Sequence, residues 1–387
     1  MNNSQKIDEF IKTNPDCKIP KQLTIVLNGN KRDLETYRLP LELTFYNIKN
    51  GRFAAEYIDL VKNEGRELNP LNSVDSKKIQ NLLIEIDPKQ SKILQQDIQL
   101  YGQRDPGIVT YDGFIINGNR RRAALEILVS EGHSNFKYII VSRLPQNVTT
   151  QDLWKLEAGI QLSKNVQLDY GPINELLKFK EGVDAGLSPI EIAKSLYGGF
   201  KEKDILEKLE QLKLISQYLQ FIGEPGVFNR AKGIHEHFID LRNILNSIRK
   251  RDSSPDEQIA VKQIGFQLIH DGVTQRELRK IKDIMVHEKT KKEFWQAIPH
   301  SKPEAAGEKR NRFLKADQNL EFTPTRTLFN SCLDTLTAIT EENEPEKLLK
   351  RALTNLENIR PSHKALKRPE TKLLIQQIET IIKNLKF

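Results

Sequence analysis

Three consecutive arginines follow a glycine near the middle of the N-terminal half of the chain. Phe114 to Ile116 is predicted to form a short buried strand, Gly118 permits a tight turn, and the stretch from Ala123 to Val129 contains helix-forming residues. The backbone N–H groups at the start of that helix and the guanidinium groups of Arg120 to Arg122 would then converge on one point. This arrangement predicts a phosphate-binding site.

A solvated helix surface is the alternative interpretation of the arginine cluster. In that case Arg122 forms an ion pair with Glu126 at i, i+4. A helix N-terminus disfavours cations, because its dipole is positive there. The position of the cluster therefore favours a bound anion that offsets the repulsion.

The elements around the arginines alternate between strand and helix. The predicted core begins at Ile84 to Ile86 and continues with a helix around Ile93 to Leu100. Strands follow at Gly107 to Thr110 and Phe114 to Ile116, and a closing strand runs from Lys137 to Val141. Such alternation indicates a small α/β domain. From Thr150 onward the apolar spacing is helical, so the predicted fold class is α+β.

A folded extension precedes this core. Leu23 to Leu27 and Leu39 to Tyr46 alternate like strands, and Asn50-Gly51 is predicted to be the turn of a β-hairpin that returns at Phe53-Ala54. Its polar residues either line a site or simply decorate the hairpin, and they are Arg38, Asn47, Asn50 and Arg52.

The stretch from about Leu82 to Leu214 resembles the ParB/sulfiredoxin-like domain and the helix-turn-helix that follows it in ParB-type partition proteins. Leu94 to Val109 takes the place of the family's L-x-x-S-I-x-x-x-G-x-x-Q-P-I-x-V run. Gly118 to Ala124 corresponds to the G-E-R-R-x-x-A box, and Lys164 to Glu175 to the E-N-x-Q-R-x-x-x-x-P-I-E box. The three blocks stand in the family's order.

In ParB-type proteins these boxes hold the triphosphate of CTP with a magnesium ion, and nucleotide binding switches a clamp around DNA. The resemblance therefore implies a nucleoside triphosphate ligand, CTP or ATP with Mg²⁺, and places Asn165 at the metal position. The residues that it implies for nucleotide or phosphate binding are Gly102, Gly118, Asn119, Arg120, Arg121, Arg122, Lys164, Asn165 and Gln167.

Several positions depart from the family pattern. Asn119 and Lys164 replace acidic residues, and Leu168 replaces an arginine. A lysine adds a phosphate contact but cannot assist metal binding or orient water, so we expect anion binding rather than hydrolysis. Asn119 also occupies the position of the sulfiredoxin cysteine, which excludes sulfinic acid reduction. A nuclease or kinase would need carboxylates at the site, for which Asp105, Asp112 and Glu126 are available.

The segment Leu187 to Gly198 resembles the first part of the family's helix-turn-helix, with Ser188 as the expected N-cap. A DNA reader would place the second helix, predicted at Lys201 to Leu212, in the major groove. Its candidate DNA-binding residues are Lys201, Lys203 and Lys208. The same helix carries several carboxylates and almost no base-reading residues. Packing or dimerisation is therefore the alternative role of the helix pair.

Composition is compatible with a polyanion partner. Sixty Lys and Arg against 52 Asp and Glu give a formal net charge of +8 and a pI near 9.1. Cys17 and Cys332 stand far apart, which argues against a disulfide framework. The sequence has no apolar run of about 18 residues and no signal-peptide pattern at its start. We therefore expect a cytoplasmic protein without a membrane partner.

Four regions are predicted: an N-terminal extension with a β-hairpin (1–80), the ParB/sulfiredoxin-like domain (81–148), a helix-turn-helix region (149–220) and a helical C-terminal region (221–387). Basic clusters occur in the last region, for example Arg249 to Arg251. Leu348 to Ile359 and Lys372 to Phe387 are predicted to form a helical hairpin with apolar stripes. Such a hairpin either completes a core or makes a homodimer.

These patterns predict a DNA-binding protein with a ParB-like nucleotide or phosphate site, acting in plasmid or chromosome maintenance or in anti-phage defence by analogy with the family. The alternatives are a metal-dependent nuclease or an NTPase (CTPase or ATPase) that uses the same arginine-lined cleft. A regulatory scaffold that binds a protein partner through the helical half is a third possibility.

Overall fold

The computed structural model describes residues 2–27, 30–161, 171–196, 199–251, 253–298, 323–340 and 345–385. The fold is α+β, as expected, with a mixed six-stranded sheet in the N-terminal part and helices in the remainder. Among the described residues, those up to Leu278 form one compact unit, and those from Arg279 onward form a second.

The sheet has the strand order β1-β2-β6-β4-β5-β3. The pairs β1/β2, β2/β6 and β4/β5 are antiparallel, whereas β4/β6 and β3/β5 are parallel. The strands are β1 (Lys18–Leu27), β2 (Asn30–Pro40), β3 (Phe45–Tyr46), β4 (Gly107–Val109), β5 (Phe114–Asn117) and β6 (Tyr138–Arg143). Strands of the predicted N-terminal extension (1–80) and of the segment 81–148 therefore share one sheet.

The first unit also contains most of the helices. They are α1 (Asn3–Thr13), α2 (Ala54–Glu64), α3 (Ser73–Glu85), α4 (Pro88–Tyr101), α5 (Asn119–Ser130), α6 (Thr150–Gln161), α7 (Pro172–Asp184), α8 (Pro189–Ser195), α9 (Glu202–Phe221), α10 (His235–Arg249) and α11 (Pro255–His270). The helix α12 (Gln275–Arg279) ends at the boundary between the units.

The two sides of the sheet carry different helices, because successive residues of a strand point to opposite faces. Ile115 of β5 packs in a core with Ile98 of α4 and Leu128 of α5. The next residue, Ile116, packs with Leu156 of α6 on the other side. The sheet thus separates α4 and α5 from α6. The junction of β5 with α5 lies at the end of β5, between these two helical layers.

Two sequence predictions about local structure are wrong, and for a third segment, Ile84 to Ile86, the sequence predicts no element type. Ile84 and Glu85 belong to α3, whose N-cap Asn72 accepts hydrogen bonds from the amides of Val74 and Asp75, so this segment is helical. The strand from Leu39 ends at Pro40 and is followed by a 3₁₀ turn at Leu41–Leu43.

Asn50-Gly51 does not join two strands. The Asn50 side chain accepts a hydrogen bond from the Arg52 amide, and the chain continues as a 3₁₀ turn into α2. Phe53 is buried there in a core with Tyr46 and Tyr57, which holds the turn against the sheet domain. The N-terminal β-hairpin is instead formed by β1 and β2.

The second unit contains α13 (Ile281–Ile284), α14 (Glu288–Trp295), α15 (Pro324–Thr340), α16 (Pro345–Glu357) and α17 (Pro369–Asn384). The two helices of the predicted C-terminal hairpin, α16 and α17, are present but bury none of their side chains. Their leucines and isoleucines are exposed apart from the half-buried Leu348, so within the described residues these helices do not complete a core. None of the described helices combines the length and apolar character needed to cross a bilayer.

Candidate phosphate-binding cleft

The junction between β5 and α5 has the predicted geometry of a strand, a tight turn and a helix start. Gly118 is the N-cap of α5 and has a φ of 120°, a conformation that residues with a Cβ rarely adopt. No side chain caps this helix N-terminus. Its first backbone N–H groups are therefore available to an anion, as the sequence predicts.

A cleft of about 1540 Å³ opens at this junction. Its volume exceeds that of a typical small-molecule pocket, which is roughly 300–1,000 Å³. One part of the wall is apolar and is formed by α3 and α4 with residues such as Leu83, Ile86 and Leu94. The cationic side chains that line the cleft are Lys21, Arg52, Arg104, Arg120, Arg121, Lys155 and Lys194.

The carboxylates of the cleft have local partners. Asp87 caps α4 by accepting a hydrogen bond from the Gln90 amide at 3.0 Å. Asp97 forms an ion pair with Arg104 at 2.6 Å. Asp105 lies 3.9 Å from the ammonium of Lys21, and Glu191 caps α8 at Ser188. Arg120 receives no charge compensation from these groups.

Arg120 and Arg121 both reach the cleft but differ in their partners. Arg121 donates to the backbone oxygen of Asp105, and to Oδ1 of Asn117 at 3.1 Å. The Nη2 atom of Arg120 is buried and has no hydrogen-bond partner among the described residues. An unpaired buried donor on a cation is costly, and a bound anion would remove that cost.

Burial lowers the pKa of Arg121, and the positive charge of Arg52 lowers this pKa further. The negative charge of the nearby Asp105 raises it, but by less than burial lowers it. The charges of Arg52 and Arg121, which both line the cleft, therefore repel each other. Crowded like charges of this kind are stabilised by an anion between them. From the sequence, Arg52 is a polar residue that either lines a site or decorates a hairpin, because Asn50-Gly51 is typical of a hairpin turn.

Helices α6 and α7 hold the segment that carries Arg52. Asn174 accepts a hydrogen bond from the Ala55 amide at 2.9 Å and donates to the carbonyl of Arg52 at 3.0 Å. Glu157 accepts a hydrogen bond from the Gly51 amide at 3.1 Å. Nothing in the sequence pattern links these residues, which are separated by more than a hundred positions from the turn they fix.

Asn119 lines the cleft, but its side chain is committed to the backbone. It donates to the carbonyl of Ile115 at 3.3 Å and accepts from the amide of Asn47 at 3.2 Å. Only 4% of Asn119 is exposed. The residue that replaces the family's acidic group thus fixes the loop before Arg52 to the start of α5.

Arg122 is not brought to the cleft. Its guanidinium forms an ion pair with Glu126 at 2.8 Å and lies 4.1 Å from the centre of the Tyr46 ring. The i, i+4 ion pair that the sequence offered as an alternative is therefore present for this arginine. Successive helical residues are about 100° apart, so the helix directs Arg120 and Arg122 to different sides.

The first loop of the ParB-like pattern also borders the cleft. Gly102 ends α4 with a φ of 72°. The side-chain amide of Gln103 then pairs with the backbone of Ile140 as a neighbouring strand would. It accepts a hydrogen bond from the Ile140 N–H at 2.8 Å and donates one to the Ile140 carbonyl at 2.6 Å. These contacts fix the loop that carries Asp105 against β6.

The remaining candidates lie elsewhere. Lys164, Asn165 and Gln167 fall outside the described residues. Asp112 occupies the turn between β4 and β5, where it accepts a hydrogen bond from Thr110 at 2.5 Å, and Glu126 binds Arg122 and Tyr46. No group of three or more His, Cys, Asp or Glu side chains with the spacing of a metal site occurs in the described part of the chain.

The two helices that are predicted as a helix-turn-helix pair are present as α8 and α9. Glu191 accepts a hydrogen bond from the Ser188 amide at 2.8 Å, so Ser188 begins α8 as predicted. Lys208 forms an ion pair with Glu175 of α7 at 2.9 Å, and Lys203 lies 3.8 Å from Glu207. Lys201 and Lys203 are exposed, whereas α9 buries much of its length against neighbouring helices.

No protein-family model matches the chain, and the comparison with curated proteins gives no match either.

Proposed function

We propose that the cleft binds the phosphate groups of a nucleoside triphosphate, CTP or ATP, and that the protein binds DNA through its helical region. The observation that carries the first part is the buried, unpartnered Nη2 of Arg120 beside Arg121 at the uncapped N-terminus of α5. The resemblance to the ParB/sulfiredoxin-like domain supports the same ligand class and its link to DNA.

In this proposal the arginines and the helix N-terminus neutralise the phosphates. Arg120 and Arg121 donate hydrogen bonds to phosphate oxygens, and Arg52, which also lines the cleft, adds a further positive charge. The aliphatic wall formed by α3 and α4 provides an apolar surface for the base. The cleft is larger than a typical small-molecule pocket, so it has room for a second group beside the nucleotide.

A magnesium ion ordinarily accompanies a nucleoside triphosphate. The described carboxylates of the cleft do not fit it, because Asp87 and Glu191 cap helices and Asp97 is paired with Arg104, which leaves Asp105 as the one carboxylate with free oxygens. Octahedral Mg²⁺ needs free oxygen ligands. A single carboxylate does not make a magnesium site, so in this proposal the cations and the helix N-terminus bind the phosphates.

The ligand is tested by thermal shift and equilibrium dialysis with CTP, ATP, GTP and inorganic triphosphate, each with and without Mg²⁺. Arg120→Ala should weaken the binding of the preferred ligand at least tenfold, since a charge-assisted contact is lost. Lys137→Ala is the matched control, because it removes an exposed cation outside the cleft. Wild-type protein that binds none of these ligands, or equal affinities for the two variants, would contradict the proposal.

The second candidate is an enzyme, a metal-dependent nuclease or an NTPase. It is favoured by Asp105, whose side chain is 87% exposed at the edge of the cleft next to the arginines. Without an acidic residue at position 119, we expect bound nucleotide to be hydrolysed slowly or not at all. Multiple-turnover release of phosphate, or cleavage of DNA, with Mg²⁺ or Mn²⁺ decides between the two. Robust turnover that Arg120→Ala eliminates would establish the enzyme.

A scaffold role is the third candidate, and the exposed apolar side chains of α16 and α17 favour it. They suit a protein partner or a second copy of the chain, as the apolar stripes predict. A role in plasmid or chromosome maintenance or in anti-phage defence is proposed by analogy with ParB-type proteins alone. Sedimentation of the purified protein, with and without DNA, tests for a homodimer.

A further inference from the structure

A cationic cluster is built where α9, α10 and α11 meet. Arg249, the last residue of α10, donates to Glu210 of α9 and to Asn246, each at 3.1 Å. It also donates to Gln258 of α11 at 3.1 Å. The guanidinium is therefore held in place by three helices, and 49% of the side chain remains exposed.

Two lysines flank this arginine. Lys213 follows Glu210 by three positions on α9, and Lys262 follows Gln258 by four positions on α11. Residues at these spacings share a helix face, so both lysines lie beside Arg249. Burial lowers the pKa of Lys262, and the charges of Lys213 and Arg249 lower it further, which is consistent with this placement.

The cluster is not neutralised by its surroundings. In the part of the chain that the structure describes, neither Lys213 nor Lys262 forms an ion pair with a carboxylate, and Lys250 and Arg251 are exposed directly after Arg249. Glu210 is the carboxylate that binds Arg249, and nearby Glu257 caps α11 at Ser254. We define the α10 cluster as Lys213, Arg249, Lys250, Arg251 and Lys262.

The start of α9 has a different charge pattern. Its lysines alternate with Glu202, Asp204 and Glu207, and Lys208 is paired with Glu175. A phosphate backbone would meet carboxylates at that end of α9 and mainly cations at the α10 cluster. Opposite charge at the contact is what produces nonspecific DNA affinity.

We infer that the α10 cluster binds the phosphate backbone of double-stranded DNA. This inference rests on the DNA-binding part of the proposed function and names its surface. A duplex is favoured over a single strand because the cluster contains no aromatic side chain on which unpaired bases would stack. The neighbouring amides of Asn246 and Gln258 are hydrogen-bonded to Arg249, and the cations of the cluster therefore contact phosphates with little sequence preference.

Fluorescence anisotropy with a labelled duplex of about 30 base pairs tests the surface. The double substitution Lys213→Gln with Lys262→Gln should weaken binding at least tenfold. It should also reduce the slope of log affinity against log salt by about 2, since each lost phosphate contact contributes about 0.9. The control, Lys201→Gln with Lys203→Gln, removes the same charge from the start of α9, where the helix-turn-helix prediction places DNA contacts, and should lose much less affinity than the cluster variant.

The inference is overturned if the cluster variant binds the duplex like wild type, if the control loses more affinity than the cluster variant, or if wild type binds no duplex at low salt. Tighter binding to a single strand of the same length would also overturn it. The thermal shift with inorganic triphosphate is measured on every variant. A cluster variant that keeps this shift while losing DNA has a folded, functional cleft, so failure here is distinct from failure of the phosphate site.

Discussion

The buried ammonium of Lys178 lies 2.9 Å from the carboxylate of Glu157. Lys178 is fully buried, and only 4% of Glu157 is exposed. The other oxygen of Glu157 accepts a hydrogen bond from the amide of Gly51, the residue before Arg52. A buried ion pair between α6 and α7 therefore supports the backbone that carries an arginine to the cleft.

Removing Lys178 should strongly destabilise the protein. Lys178→Met leaves Glu157 buried without its partner, and we expect the free energy of unfolding to fall by about 3–5 kcal/mol. Lys180→Met on the same helix is the control, because its ion pair with Asp184 is exposed and contributes about 0–1 kcal/mol. Urea denaturation measures the free energy of unfolding of both variants. Equal decreases would show that the buried ion pair stabilises the protein no more than the exposed one.

Asn174 should affect triphosphate binding through Arg52. The Asn174 side chain binds the backbone on both sides of Phe53. The substitution Asn174→Ala should therefore loosen the turn and weaken triphosphate binding several-fold. In an Arg52→Ala background the same substitution should have little further effect. A double-mutant cycle on the dissociation constant measures this coupling. Strictly additive effects would mean that Asn174 does not position Arg52.

The two neighbouring arginines should separate stability from binding. Arg122→Ala removes a buried contact with Glu126 and Tyr46 and should lower the free energy of unfolding by about 2 kcal/mol or more. Arg120→Ala removes a buried donor without a partner and should leave stability unchanged or improved. Thermal denaturation without ligand compares the two variants. The opposite order of stability would contradict these assignments.

Acid should weaken the segment before α3 through Asp75. Hydrogen bonds from Arg66 and from the Asn69 amide hold the pKa of this carboxyl well below its ordinary value of 3.8. A folded-state pKa below the unfolded one gives stability that is present above about pH 4 and lost as the pH falls further. Asp75→Asn should therefore be less stable than wild type at pH 7, with the difference shrinking below pH 4. A difference that does not depend on pH would refute the ionic role.

The sequence by itself determined the local elements whose residues carry their own signals. Short continuous apolar runs specified β4, β5 and β6, and Gly118 followed by helix formers specified the start of α5. Ser188 predicted the start of α8 in the same way. These features depend on neighbours within a few positions, so a local pattern is sufficient to predict them.

Only the tertiary structure decided which side chains share the cleft. It separated Arg122 from Arg120 and Arg121, because Tyr46 of an N-terminal strand packs against one side of α5. It added Arg52, because side chains from α6 and α7 bind a turn more than a hundred residues earlier in the chain. Such contacts arise from the packing of distant segments around the sheet, and no periodicity within one segment encodes them.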